Sequence, residues 1–193
     1  MSSTPTRRGR IRDSTIDSRL LAAASRQLAA LGYEAMSVAA VAQEAGTTRQ
    51  ALYRRWPTKA SLAAAAVRAG ADTRRGSVTD NPLADLVAEL ADFRRGVSGP
   101  GRLSLVGTML QDSTAPDLRT HYRSQVIDPR RRRIRTILEH AQRLGQIDQE
   151  ADLEIAVTLP TGSWYARALA GSPPPRDWAE RTAALIWRAV GGA

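Results

Sequence analysis

Apolar side chains recur along this chain at steps of three and four, and that spacing predicts helices almost from end to end. Ile16, Leu20, Ala24, Leu28 and Leu31 fall on one face of a first helix that Gly32 closes. Ser37 is placed to cap a short second helix carrying Val38 and Val41, which Gly46 ends. Thr48 caps a third helix from Arg49 to about Arg55, stopped by Pro57. Thr58 caps a fourth, which starts at Lys59 and runs to about Gly70. Residues 70–82 are rich in Gly, Ser, Thr, Asp, Asn and Pro and read as a connection. Beyond it, Leu83, Leu86, Val87 and Leu90 form a stripe ending before the loop Ser98-Gly99-Pro100-Gly101. Leu103, Val106, Met109 and Leu110 form another. Leu118, Tyr122 and Val126 lead to Pro129, where a kink or break is expected. Ile134, Ile137, Leu138, Ala141 and Leu144 continue to Gly145, and two further helices cover about 152–170 and 176–190. No stretch alternates with a period of two, so the expected fold class is all-α.

Charge divides the chain unequally. The formal net charge is +9. Residues 1–75 hold 12 Arg and Lys59 against five acids, a balance of +8, whereas residues 76–193 hold 15 Arg against 14 acids. Polyanion binding gains affinity by releasing the counterions condensed on phosphates, so clustered cations point to nucleic acid. Residues 1–12, with Arg7, Arg8, Arg10 and Arg12, read as a disordered basic arm that either reaches a minor groove or is an inert tail. There is no cysteine and there are two histidines, His121 and His140, so thiolate and histidine-rich metal sites are not expected and no cofactor is implied. With no secretory signal and no membrane-length apolar run, the expected location is cytoplasmic, without a membrane partner.

The informative segment is SVAAVAQEAGTTRQALYRRWPTKASL, residues 37–62. Two short helices meeting at a glycine-containing turn are what a helix-turn-helix requires, here over about 37–56. The second helix would enter the major groove of double-stranded DNA N-terminus first. Ser37, Thr47 and Thr48, at the helix starts and the turn, are candidate DNA contacts, and Thr48, Arg49 and Gln50 bring hydrogen-bonding groups to the leading end. Arg matches guanine O6/N7, Gln matches adenine N6/N7, and Ala51 suits a thymine methyl. Leu52 should point inward. Tyr53, Arg54, Arg55 and Lys59 have tips suited to phosphate, and Lys59 also opens a helix, whose free N–H groups favour an anion.

This segment resembles the DNA-binding domain of the TetR (tetracycline-repressor-like) family. Ala45-Gly46, the polar helix 47–52, Tyr53, Trp56 and Lys59 follow the family order and spacing, behind a helix ending in Leu31-Gly32-Tyr33. The likeness covers about residues 13–73. Trp56 stands where Phe is more usual, and Ala39 where some members have a base-contacting Arg. The resemblance implies a three-helix reading domain joined by its fourth helix to a larger helical domain, here 80–193, that dimerises through its last two helices and holds an inducer pocket. The stretch around 126–147 is similar to a C-terminal subtype of the family.

Phe93, Leu105, Met109, Tyr122, Gln125, Trp164 and Tyr165 are the candidate ligand contacts, each with ordinary core packing as the alternative. Trp178, Thr182, Leu185, Ile186 and Ala189 form a stripe on the last helix and, with Leu159, are candidates for a homodimer interface. The run Arg130–Arg133 reads as a solvated helix face rather than a second DNA site. The expected function is a sequence-specific transcriptional regulator, a repressor released from operator DNA by a small-molecule effector of unknown identity. The alternative is an activator or architectural DNA-binding protein without an inducer. No nucleophile, metal or phosphate-loop motif suggests an enzyme.

Overall fold

In the computed structural model the described residues are 14–70, 76–98, 106–107 and 116–193. Among them every regular element is helical. The basic arm 1–12, Leu103, Leu105, Met109 and Leu110 lie outside the described residues.

Helix α1 (Ser14–Ala35) carries Leu20, Ala23, Ala24 and Leu28 into the core, and Gly32 interrupts it with φ 75°. Only a residue without Cβ adopts that conformation at no cost, so the expected helix end appears as a kink followed by one more turn. Helices α2 (Val38–Glu44) and α3 (Arg49–Tyr53) follow. The third helix is shorter than expected. Past Tyr53 the Arg55 and Trp56 amides both donate back to the Leu52 carbonyl, which closes the helix in a tight final turn before Pro57. Helix α4 (Lys59–Ala69) opens with a reciprocal cap: Ser61 N–H donates to Thr58 Oγ1 at 3.0 Å, and Thr58 N–H to Ser61 Oγ at 3.1 Å.

Residues 60–67 of α4 are buried on every face. Such a helix belongs inside a protein, and its alanines allow neighbours to approach closely. α1 packs on one side of it, and on the other lies α6 (Pro116–Tyr122), which comes from far along the chain. Leu118 and Tyr122 of α6 thus complete the same core as Leu20, Leu52 and Leu62.

α6 runs into a π-helix (Arg123–Ile127) and then into α7 (Asp128–Arg143). The disturbance expected at Pro129 takes this form. Pro129 has no amide hydrogen for the carbonyl four residues back, and its ring crowds that carbonyl. The preceding turn widens instead, with Asp128 N–H donating to the Arg123 carbonyl.

The second core is formed by α5 (Pro82–Val97), α7, α8 (Leu153–Leu169) and α9 (Trp178–Ala189). Phe93 is its centre. The Trp178 and Tyr165 rings lie 5.8 Å from it and the Trp164 ring 6.1 Å, mostly edge-on, the arrangement that aromatic quadrupoles favour. The Trp178 indole N–H donates to Ser163 Oγ at 3.1 Å.

Candidate nucleic-acid interface

The turn between α2 and α3 is built by backbone geometry. Gly46 has φ +66°, and the Thr47 amide reaches back to the Ala42 carbonyl at 2.9 Å. Ser37 Oγ accepts from Ala40 N–H at 3.3 Å, and Thr48 Oγ1 accepts from Ala51 N–H at 3.1 Å, so both predicted caps hold. These two hydroxyls therefore fix helix starts, and Gln27 further anchors Ser37 by accepting its N–H. Leu52 is fully buried beside Val38 and Val41, which pins α3 to the core by its inner face. That leaves Thr48, Arg49, Gln50, Tyr53 and Arg54 exposed on one side, with Thr47 and Ala51 half-buried. The Arg49 guanidinium sits 6.0 Å from the Tyr53 ring centroid, so the two side chains hold each other over the exposed surface.

Two predicted phosphate contacts are differently employed. Arg55 is half-buried, ion-paired with Asp17 of α1, and donates to the Ala51 carbonyl at 3.0 Å. Its guanidinium ties α3 to α1 and does not face outward, which corrects its assignment to phosphate. Lys59 donates from Nζ to the Glu34 carbonyl at 2.8 Å and lies 4.8 Å from the Tyr33 ring centroid. The ammonium thus closes the C-terminal end of α1, where a cation is favoured. Burial, with Glu34 beside it, raises the Tyr33 phenol above its ordinary range.

A cavity of about 720 Å³ lies between α4, α5, the π-helix, α7 and α8. Phe93, Val126, Ile134 and Val157 give it apolar walls, and Val67 of α4 reaches it from the first core. Of the expected ligand contacts, Phe93, Tyr122 and Tyr165 line this space. Gln125 and Trp164 do not; Trp164 is buried in the aromatic cluster behind Phe93. Burial pushes the Tyr165 hydroxyl up to about 12, with nearby Arg130 pulling the other way, so it stays a neutral donor at neutral pH.

The cavity also contains what the sequence reading missed. Arg130 does not belong to a solvated face: it is buried, donates to Asp92 at 3.0 Å and to the Glu89 carbonyl at 3.2 Å, and lies 5.2 Å from the Phe93 ring centroid. The Glu89 carboxylate is 3.4 Å away. Arg131 and Arg135 pair with Glu154 of α8. The one available signal was the run of arginines directly behind Pro129, together with two acids three apart, Glu89 and Asp92, among the apolar positions of α5.

On the last two helices, Trp178 and Ile186 are sealed in the protomer's own core, 3% and 2% exposed. They cannot meet a partner, which corrects two of the interface residues. Thr182 is half-buried, whereas Leu159, Leu185, Ala189 and the neighbouring Ile155 are exposed. Among the described residues no three His, Asp or Glu side chains gather as a metal site, and no helix is long and apolar enough to cross a membrane.

Known proteins share this architecture. Residues 20–66 match the family model for bacterial regulatory proteins of the tetR family, and residues 77–186 match the model for a tetracyclin repressor-like C-terminal domain. The HTH-type transcriptional regulator Rv1556 of Mycobacterium tuberculosis is 30% identical over 82% of this chain and 79% of its own length. The crystal structure of the TetR family transcription regulator SCO0332 superimposes with a TM-score of 0.69 at 28% identity, covering 91% of this chain and 98% of that one. The transcriptional regulator FadR of Bacillus subtilis, solved in complex with stearoyl-CoA, shares the fold at 15% identity with a TM-score of 0.65, over 92% and 99% of the two chains. With both halves matched in order, and with an exposed recognition helix in the first, this chain belongs to the TetR family of helix-turn-helix transcriptional regulators.

Proposed function

We propose that this chain is a homodimeric, ligand-responsive repressor that reads operator DNA with α3. The observation that carries the reading is the row Thr48, Arg49, Gln50, Tyr53 and Arg54 exposed along and beside a helix whose inner face is locked by Leu52. Arg49 and Gln50 read base edges, while Tyr53 and Arg54 hold phosphates. The exposed Leu159, Leu185 and Ala189, with Ile155, supply the dimer face. Two α3 helices then meet successive major grooves, roughly 34–36 Å apart. Ligand in the cavity favours a domain geometry that breaks this spacing, with α4 as the link because Val67 belongs to both the cavity wall and the reading domain's core. The cavity supports this reading over an architectural DNA binder, which has no use for a void. The stearoyl-CoA held by FadR shows that this fold accommodates a small molecule in at least one protein.

The test is binding to the chain's own upstream intergenic DNA at several salt concentrations, with scrambled DNA as competitor. Arg49→Ala and Gln50→Ala should each cost about 1–3 kcal/mol on the operator and relax its specificity. Tyr53→Ala should weaken all DNA alike and leave the preference intact. Unchanged footprints in all three variants would refute α3 as the reading element. Leu185→Glu should shift the sedimentation coefficient to that of a monomer; an unshifted dimer means the face lies elsewhere.

A further inference from the structure

We infer that the cavity takes an anionic amphiphile, with the apolar body inside and an anionic oxygen group held at the mouth by Arg123 and Arg119. The inference rests on the ligand-responsive reading above and adds the chemistry of the ligand.

The interior is apolar. Phe93, Ile134 and Val157 are almost wholly buried yet face the void, so an occupant gains by covering them with hydrocarbon. The volume of about 720 Å³ lies within the range of roughly 300–1,000 Å³ usual for small-molecule sites. The charged lining is of one sign. Among the described residues, four arginines (119, 123, 130 and 131) border the space and no carboxylate does. Two of them are ion-paired from outside it, Arg130 with Glu89 and Asp92 and Arg131 with Glu154, which it shares with Arg135. Arg123 differs: it is exposed and forms no ion pair with any described residue. It stands four residues after Arg119, which is also exposed, so both project from the same side of the α6–π segment at the rim. An apolar void with an uncompensated guanidinium at its opening discriminates by charge. An anion gains a charge-assisted, bidentate contact there, and a cation meets a guanidinium of its own sign at the opening. A neutral amphiphile gains only the burial.

The probes are dodecanoate, dodecyl phosphate and dodecanol, which share one chain and differ at the head. Each is titrated below its aggregation limit into the full-length protein and followed by calorimetry and tryptophan fluorescence. Dodecanoate or dodecyl phosphate should bind at least tenfold more tightly than dodecanol, one per chain, and whichever is tighter identifies the head as carboxylate or phosphate. Arg119→Gln combined with Arg123→Gln should erase that advantage and leave dodecanol affinity unchanged. Both positions are exposed, and an unchanged melting curve verifies the fold. Thr161→Trp, which fills the cavity from α8, should abolish binding of all three. Equal affinity for acid and alcohol, a preference that survives the double substitution, binding that survives Thr161→Trp, or no saturable binding of either anion overturns the inference. Operator release is measured separately. Anion binding that leaves the DNA complex intact refutes the repressor reading and spares the ligand class, whereas specific DNA binding without anion binding does the reverse.

Discussion

Around α4 the chain is packed with alanine; around Phe93 it is packed with tryptophan, a buried arginine and empty space. In the first core, small side chains on every face of α4 draw α1 and α6 in close, and polar atoms serve as caps and ties such as Ser25 Oγ to the Ala66 carbonyl. In the second, large rings meet edge-on and prop the helices apart, and Arg130 is sunk between two acids. A helix that must present four or five side chains to a groove needs a solid base. A cavity needs walls that hold their own positions. Rings and a salt-bridged arginine supply walls of that kind, since each is held by partners within the protein.

The contrast can be tested from its strongest consequence downward. Arg130→Ala leaves two buried carboxylates without their buried counter-ion, which should cost about 3–5 kcal/mol in urea or thermal unfolding. A loss under about 1 kcal/mol would mean that Glu89 and Asp92 are satisfied without the guanidinium, by other partners or by taking up a proton. Small enlargements should separate the two cores next. Ala63→Val, in the solid core, should destabilise by about 1–3 kcal/mol through overpacking. Val157→Ile, on the cavity wall of the second core, should stay within about 0.5 kcal/mol. Equal costs would mean that the two cores are equally full. Thr58→Ala removes one half of the reciprocal cap that starts α4 and should cost about 1 kcal/mol, visible as a lower melting temperature.

The smallest effect is a slope. Free tyrosine loses its proton near about 10, and Tyr165 in the folded chain near about 12. Between those values the unfolded chain has given up a proton that the folded chain keeps, so rising pH favours unfolding there. Tyr165→Phe should therefore lose less stability than the parent as pH rises from about 10 to 12. Parallel curves would mean that the phenol is wetter than its burial suggests.

The sequence showed the reading domain well and the hollow one poorly. Caps at Ser37, Thr48 and Thr58 and the turn at Gly46 are local devices, each decided by a residue and its neighbours within four positions, so they could be read directly. Arg55 could not, because its partner Asp17 lies 38 residues away, and from sequence a committed arginine looks like a free one. Arg130 was misjudged for the same reason, with Asp92 38 residues distant. Trp178 and Ile186 shared a helical stripe with Leu185, but periodicity does not tell a face that meets its own chain from one that meets another. The cavity is a property of several helices at once, and no single period encodes it.

Leu118 and Tyr122 sit in the reading domain's core, yet they arrive 36 and 40 residues after the end of the 70–82 connection that was expected to close it. The domain is therefore not a cassette. A chimera cut in the 70–80 connection would carry away an α4 with one flank bare and leave behind a helix with nothing to cover. To move this DNA-reading head onto another sensor, residues 116–127 must travel with it, or the recipient must supply a leucine and a tyrosine of matching shape. Recombination within the family is expected to respect the same seam, which follows packing and not chain order.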